Sequence, residues 1–193
     1  MKEENEVTIE TPYTLEELKK LLKKNNFKLK ETYDVNDIYM IDKNYLKEKD
    51  HLKLLNHSLL LRHVILENKE KKLITKKEKE YNKQKEIIKQ SKVDLKVQSL
   101  EEAKTFLEAL NYQELIRIND HLLVYANDED ELCIQIVNNK HIYIEIESNC
   151  EFINKVYSTV EEMKEVFKKY DIKIKNNNYF AKKAEIELIE RGV

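Results

Sequence analysis

The chain has 193 residues, 41% of them hydrophobic, enough for a single domain with its own core. Its 35 Lys and Arg against 37 Asp and Glu leave a net charge of -2, which excludes a generally polyanion-binding surface and makes any phosphate affinity local. No apolar run approaches the roughly 18 residues of a membrane span, MKEENEV at the start has no signal-peptide core, and Cys133 and Cys150 stand outside any CxxC or His/Cys grouping. The expectation is a cytoplasmic protein in a reducing compartment, with both thiols in packing roles. One glycine and one proline mean that turns must be made by Asn and Asp.

In chain order, EVTIE (6–10) alternates as a strand, with Glu6, Thr8 and Glu10 on one side and Val7 and Ile9 on the other. Leu15, Leu18, Leu21 and Leu22 recur at helical spacing after Thr14, and Glu17 completes a capping box, so a helix spans about 14–25. Asn25-Asn26 supplies a left-handed stop. FKLKETYDVNDIYMID is one strand or two, SLLLRHVIL (58–66) a strand, KKLITKKEKE a weaker one, and KVDLKV (92–97) a clean alternation.

There the pattern begins again. SLEEAKTFLEALNY (99–112) matches TLEELKKLLKKNNF (14–27) at an offset of 85, and an alternating strand precedes each helix. QELIRINDHLLVYA, ELCIQIVN and KHIYIEIES follow as strands, joined by NDED and NNK turns, and Val160, Met163, Val166 and Phe167 mark a further helix. The tail YFAKKAEIELIERGV does not resolve into a type. The expectation is one α+β domain over 1–193: a closed eight-stranded antiparallel β-barrel with flanking helices, built from two similar halves at about 1–90 and 91–175.

Several strands carry aliphatic residues on one face and mixed charges on the other. Ile142, Ile144 and Ile146 oppose His141, Tyr143, Glu145 and Glu147; Ile116 and Ile118 oppose Arg117, Asn119 and His121. A solvated outer face gives this pattern, and so does a sheet that curls its polar faces around a lumen. In the second case carboxylates would hold Mg2+ or Mn2+, and Arg and Lys would hold the phosphates that the cation bridges. Glu145 and Glu147, two residues apart on one strand face, sit roughly 7 Å from each other. Arg62, inside an aliphatic strand, needs an anion, either a phosphate or a strand glutamate.

Taken together, Glu6-Val7-Thr8-Ile9-Glu10, Asn26-Phe27, Ser58–Arg62, Ile74–Lys77, Lys92-Val93-Asp94, Arg117-Ile118-Asn119 and Glu145-Ile146-Glu147 resemble, in order and spacing, the CYTH domain of the triphosphate tunnel metalloenzymes. That superfamily holds class IV adenylyl cyclases, thiamine triphosphatases and inorganic triphosphatases. The resemblance implies a Mg2+- or Mn2+-dependent enzyme that hydrolyses or cyclises a small-molecule triphosphate, with no specific nucleic-acid or membrane partner and a possible homodimer. It implies Glu6, Asp94, Glu145 and Glu147 as metal ligands and Arg62, Lys77 and Arg117 as phosphate-binding residues. The opening E-x-E-x-K motif is altered: Thr8 replaces its second acid and Glu10 its lysine. The register Glu4-Glu6-Thr8 restores the acids but not the lysine. Leu60 and Asn119 stand where basic residues are expected. Glu10 as a base and Lys96, opposite Glu10 in the repeat, as a displaced ammonium are the catalytic candidates. The alternatives are a degenerate tunnel that binds a nucleotide or polyphosphate without turnover, and a structural or partner-binding domain.

Overall fold

A computed structural model describes residues 2–3, 6–83 and 87–192. The strands are β1 (Lys2–Glu3), β2 (Glu6–Glu10), β3 (Lys28–Asp42), β4 (Ser58–Leu66), β5 (Lys69–Tyr81), β6 (Ile87–Lys96), β7 (Tyr112–Ala126), β8 (Glu131–Val137) and β9 (His141–Glu147). The helices are α1 (Leu15–Lys24), α2 (His51–Asn56), α3 (Leu100–Ala109), α4 (Val160–Lys169) and α5 (Lys183–Arg191). The class is therefore α+β, and the eight expected strands are β2 to β9. β1 and α2 are additional, since two- and six-residue elements are too short to establish a period. The Glu4 register lies outside the described residues.

The hydrogen-bonded order is β1-β6-β5-β4-β3-β7-β8-β9-β2. Among the described residues it does not return on itself, so the expected closed barrel is not what the ladders form. The outer edge of β2 is met instead by the segment after α4: Thr8 N–H donates to the Tyr179 carbonyl at 3.2 Å, and Ala181 N–H donates to the Thr8 carbonyl at 2.8 Å.

Contacts group the chain into two interleaved units rather than two similar successive halves. The first comprises β1, Asp34–Asn119 and α5. In it α3 packs Ala103 and Leu107 against Met40 and Leu61, with Ile38, Leu59 and Ile74 beside them. That leaves the other face of β3 to β6 to Asp37, Arg62, Thr75 and Asp94, as the period-two alternation requires. The second unit comprises the chain from β2 to Tyr33 and Asp120–Ala181. There α1 and α4 bury Leu18, Leu22, Met163, Val166 and Phe167 against Val7, Ile9, Ile134, Ile144 and Ile146.

Helices α1 and α3 keep the offset of 85, and so do their ends. Thr14 and Ser99 each accept the amide three residues on, and Asn26 and Asn111 follow with φ of 61° and 70°. Asn138 and Asn139, at φ 50° and 56°, turn β8 into β9 with the left-handed pair of a type I′ hairpin. Asparagine thus takes the positions that glycine usually fills, as the composition requires. At α1 the box is complete, with Glu17 accepting from the Thr14 amide at 2.8 Å. Thr14→Ala is expected to cost about 1 kcal/mol, read as a lower urea midpoint with an unchanged slope.

The turn between β7 and β8 hides a carboxylate. Asn127 accepts the amides of Glu129 and Asp130, at 2.9 and 2.7 Å, and this directs Asp130 inward. Its side chain is 1% exposed. Lys155 at 2.5 Å and the Tyr157 hydroxyl at 2.8 Å donate to one oxygen, and Lys169 and the Tyr170 hydroxyl, both at 2.7 Å, donate to the other. Burial raises the carboxyl's pKa, but these four donors outweigh it and hold it well below the usual range. Cys150, half-buried nearby, has its thiol pushed up to about 11 by burial, in keeping with a packing role.

Candidate functional site

In the second unit the β2–β9 ladder sets Glu6 opposite Glu147, Thr8 opposite Glu145 and Glu10 opposite Tyr143. Val7, Ile9, Ile144 and Ile146 alternate with them and are fully buried in the helix-covered core. The three acids Glu6, Glu145 and Glu147 therefore share the face turned away from α1 and α4. The Thr8 hydroxyl donates to Glu145 Oε2 at 3.1 Å, which ties Thr8 to the carboxylate group. The Tyr33 phenol joins it. Burial chiefly, then the charges of Cys133, Glu145, Glu147 and Glu31, drive its pKa far up and keep it a hydrogen-bond donor at neutral pH. The alternating run Glu31-Thr32-Tyr33 was the only signal that could have found it.

Glu10 is engaged. His141 Nδ1 lies 2.9 Å and Lys175 Nζ 2.7 Å from its Oε1, and its side chain is largely buried. Lys175 belongs to a short 3-10 turn, Lys175–Asn177, in which Asn176 has φ 56°. Glu10 thus pairs with an ammonium 165 residues away. Nothing local in the sequence marks Lys175 for this.

In the first unit Arg62 is bound side-on by Asp37, Nε to Oδ1 at 2.8 Å and Nη2 to Oδ2 at 2.6 Å. The Asp37 side chain is 6% exposed. Burial works against the guanidinium's charge, but Asp37 outweighs it and holds Arg62 firmly ionised. The sequence left open a phosphate or a strand glutamate for Arg62; the structure gives it a strand aspartate, Asp37, instead. The charge of Asp94 is felt at Arg62 as well. Asp94 accepts the Thr75 hydroxyl at 2.7 Å and pairs with Lys92 at 3.2 Å; partial burial opposes its ionisation, and these donors outweigh that and hold its pKa low. Lys77 stands across from Lys92 in the β5–β6 register. Lys96, opposite Leu73, is exposed at the end of β6.

Arg117 stands apart from that group. Its side chain is 52% exposed and clasps Glu114 at 2.6 and 2.8 Å, with Glu101 of α3 also acting on it. A cleft of about 370 Å3 in the same unit, between α2, β5 and β6, is lined by Lys53, Asn56, His57, Lys76, Glu78 and Lys89 among others. By register, Lys76, Glu78 and Lys89 lie on the face opposite Thr75 and Asp94. The cleft is separate from the predicted site residues.

Among the described residues no three His, Cys, Asp or Glu side chains gather as a ready metal cage. The donor chemistry of the β2–β9 face still fits a hard cation. Mg2+ is commonly held by one or two carboxylates completed by water and substrate phosphates, and Glu6 faces Glu147 directly across the ladder.

No protein-family model matches the chain, and no curated protein matches its sequence. Solved structures do. A Pyrococcus horikoshii protein matches with a TM-score of 0.66 at 14% identity over 98% of this chain and 100% of its own. A "putative adenylyl cyclase" from Hippeastrum with a dominant triphosphatase activity matches at 0.62 and 14% over 99% and 96%. A "putative adenylate cyclase" from Bacillus halodurans matches at 0.54 and 13% over 92% and 96%. The chain has the fold of these cyclase and triphosphatase structures. No helix among the described residues is long and apolar enough to cross a membrane.

Proposed function

We propose that the protein is a metal-dependent enzyme acting on a small-molecule triphosphate. The observation that carries this reading is the β2–β9 register, which lines Glu6, Glu145 and Glu147 along one polar face while the alternate residues enter the core. The fold shared with the cyclase and triphosphatase structures supports it. Glu6 and Glu147, with Glu145 beside them, would hold Mg2+ or Mn2+, which when bound neutralises phosphate oxygens and orients the transferring group. Thr8 orients the Glu145 carboxylate through its hydroxyl. The Tyr33 phenol, held protonated by burial and the nearby carboxylates, is available there as a donor. Arg62, Lys77 and Arg117 are the cations proposed to counter charge on the phosphates, and Asp94 holds the polar group around Arg62 in place. Water as attacker gives hydrolysis; an internal hydroxyl gives cyclisation.

A second reading, binding without turnover, is favoured by one specific observation. Two of the three proposed phosphate-binding cations, Arg62 and Arg117, are already clasped by carboxylates of this chain, Asp37 and Glu114. Incubating the protein with ATP, inorganic triphosphate and thiamine triphosphate in Mg2+ or Mn2+ separates the two. Turnover that falls at least a hundredfold in Glu147→Ala, with the fold retained, supports the enzyme. Saturable binding with no product supports the second reading, and neither binding nor turnover overturns both.

A further inference from the structure

Gln135 lies in β8 with only 2% of its surface exposed, and its side-chain oxygen Oε1 accepts no hydrogen bond. A buried acceptor left unmet costs stability, and most such atoms in folded proteins are satisfied, so one that persists calls for a reason. Its position supplies one. The ladders put Gln135 opposite Tyr143 on one side and Leu122 on the other, and Tyr143 opposite Glu10. The next row on the same face is Cys133, Glu145 and Thr8. Gln135 therefore shares a face with the carboxylate group and sits one row, roughly 7 Å, along the strands from Glu145. That is the reach of the part of a substrate that lies beyond its phosphates.

We infer that Gln135 Oε1 is the acceptor for an N–H or O–H donor on the organic part of the substrate, which selects a nucleoside triphosphate over inorganic triphosphate. Metal-bound inorganic triphosphate is fully ionised and offers oxygens that accept, with no N–H group and no hydroxyl, so it leaves Gln135 unmet. A base amino group or a ribose hydroxyl meets it. Discrimination of this kind is steep, because a ligand without the donor leaves a buried polar atom unpaired in the complex. The inference rests on the triphosphate reading above and adds the substrate class.

The test is Gln135→Met, which keeps the length of the side chain and removes the acceptor. Two measurements are made on the whole chain: the melting temperature without ligand, and calorimetric titration with Mn2+ and either the β,γ-methylene analogue of ATP or bis(methylene)triphosphate, neither of which has an N–H in its phosphate chain. The expected result is a melting temperature raised by about 2–4 °C, because an unpaired buried acceptor is gone. Affinity for the ATP analogue is expected to fall about tenfold, towards that for bis(methylene)triphosphate, which stays unchanged. Analogues lacking the 6-amino group or the 2′-hydroxyl identify which donor is met. A lower melting temperature means that the oxygen is satisfied inside the protein and overturns the inference. Bis(methylene)triphosphate binding as tightly as the ATP analogue overturns it alone and leaves the triphosphate reading standing; failure of both to bind overturns the two together.

Discussion

Asp130→Ala is expected to destabilise the protein by about 3–5 kcal/mol, with the melting temperature falling by roughly 6–20 °C. The carboxylate is almost wholly buried and takes four donors on its two oxygens. Its removal strands two tyrosine hydroxyls in the core and takes the shared counter-ion from Lys155 and Lys169, a loss that water repays only in part because both ammoniums are themselves partly covered. Asp130→Asn keeps the shape and loses the charge, and is expected to fall between the alanine variant and the wild type. The same residue sets a pH dependence. Its folded pKa lies below its unfolded value near 3.9, so its stabilisation is complete above about pH 5 and is lost as pH falls through and below the unfolded value. Urea denaturation at stepped pH checks this: the acid loss present in the wild type should shrink markedly in Asp130→Asn.

Arg62→Ala is expected to cost a further 3–5 kcal/mol in its own right, because it leaves the Asp37 carboxylate buried with its bidentate partner gone. The double change Arg62→Met with Asp37→Leu is expected to be close to neutral, since a buried ion pair can be exchanged for apolar packing at little net cost. A double-mutant cycle from urea midpoints measures the coupling. The same pair bears on function. If Asp37 competes with phosphate for the guanidinium, Asp37→Asn tightens triphosphate binding; an affinity unchanged by Asp37→Asn and by Arg62→Lys would assign Arg62 to structure alone.

How much of this was legible in the sequence depends on whether the signal is local. SLLLRHVIL is β4 to the residue, and the Thr14 cap, the Asn25-Asn26 stop and the 85-residue offset of α1 and α3 are all as read. Each of these is fixed within a few residues by period, cap or turn chemistry. The side chosen by Glu6, Thr8, Glu145 and Glu147 followed from the same alternation, once Val7 and Ile144 went into the core. Partners across the chain were not legible. Arg62 is met by Asp37, 25 residues earlier, and Glu10 by Lys175, 165 residues later. A charge pattern says that an ion needs a partner; tertiary packing decides which one. Asp130 was concealed for a related reason: NDED reads as a solvated turn, and only the Asn127 hydrogen bonds turn its last acid inward. The closed barrel was an extension from strand count and family likeness, and the order of the ladders, with β2 edged by Tyr179–Ala181, does not bear it out.

The measurement that bears most directly on the proposed chemistry is the affinity of the protein for Mn2+ together with imidotriphosphate, compared among the wild type, Glu147→Ala and Glu6→Ala by titration calorimetry. If the β2–β9 face holds the metal-triphosphate, the wild type binds saturably and each variant loses at least tenfold while keeping its melting temperature within a few degrees. Equal affinity in all three proteins would contradict it.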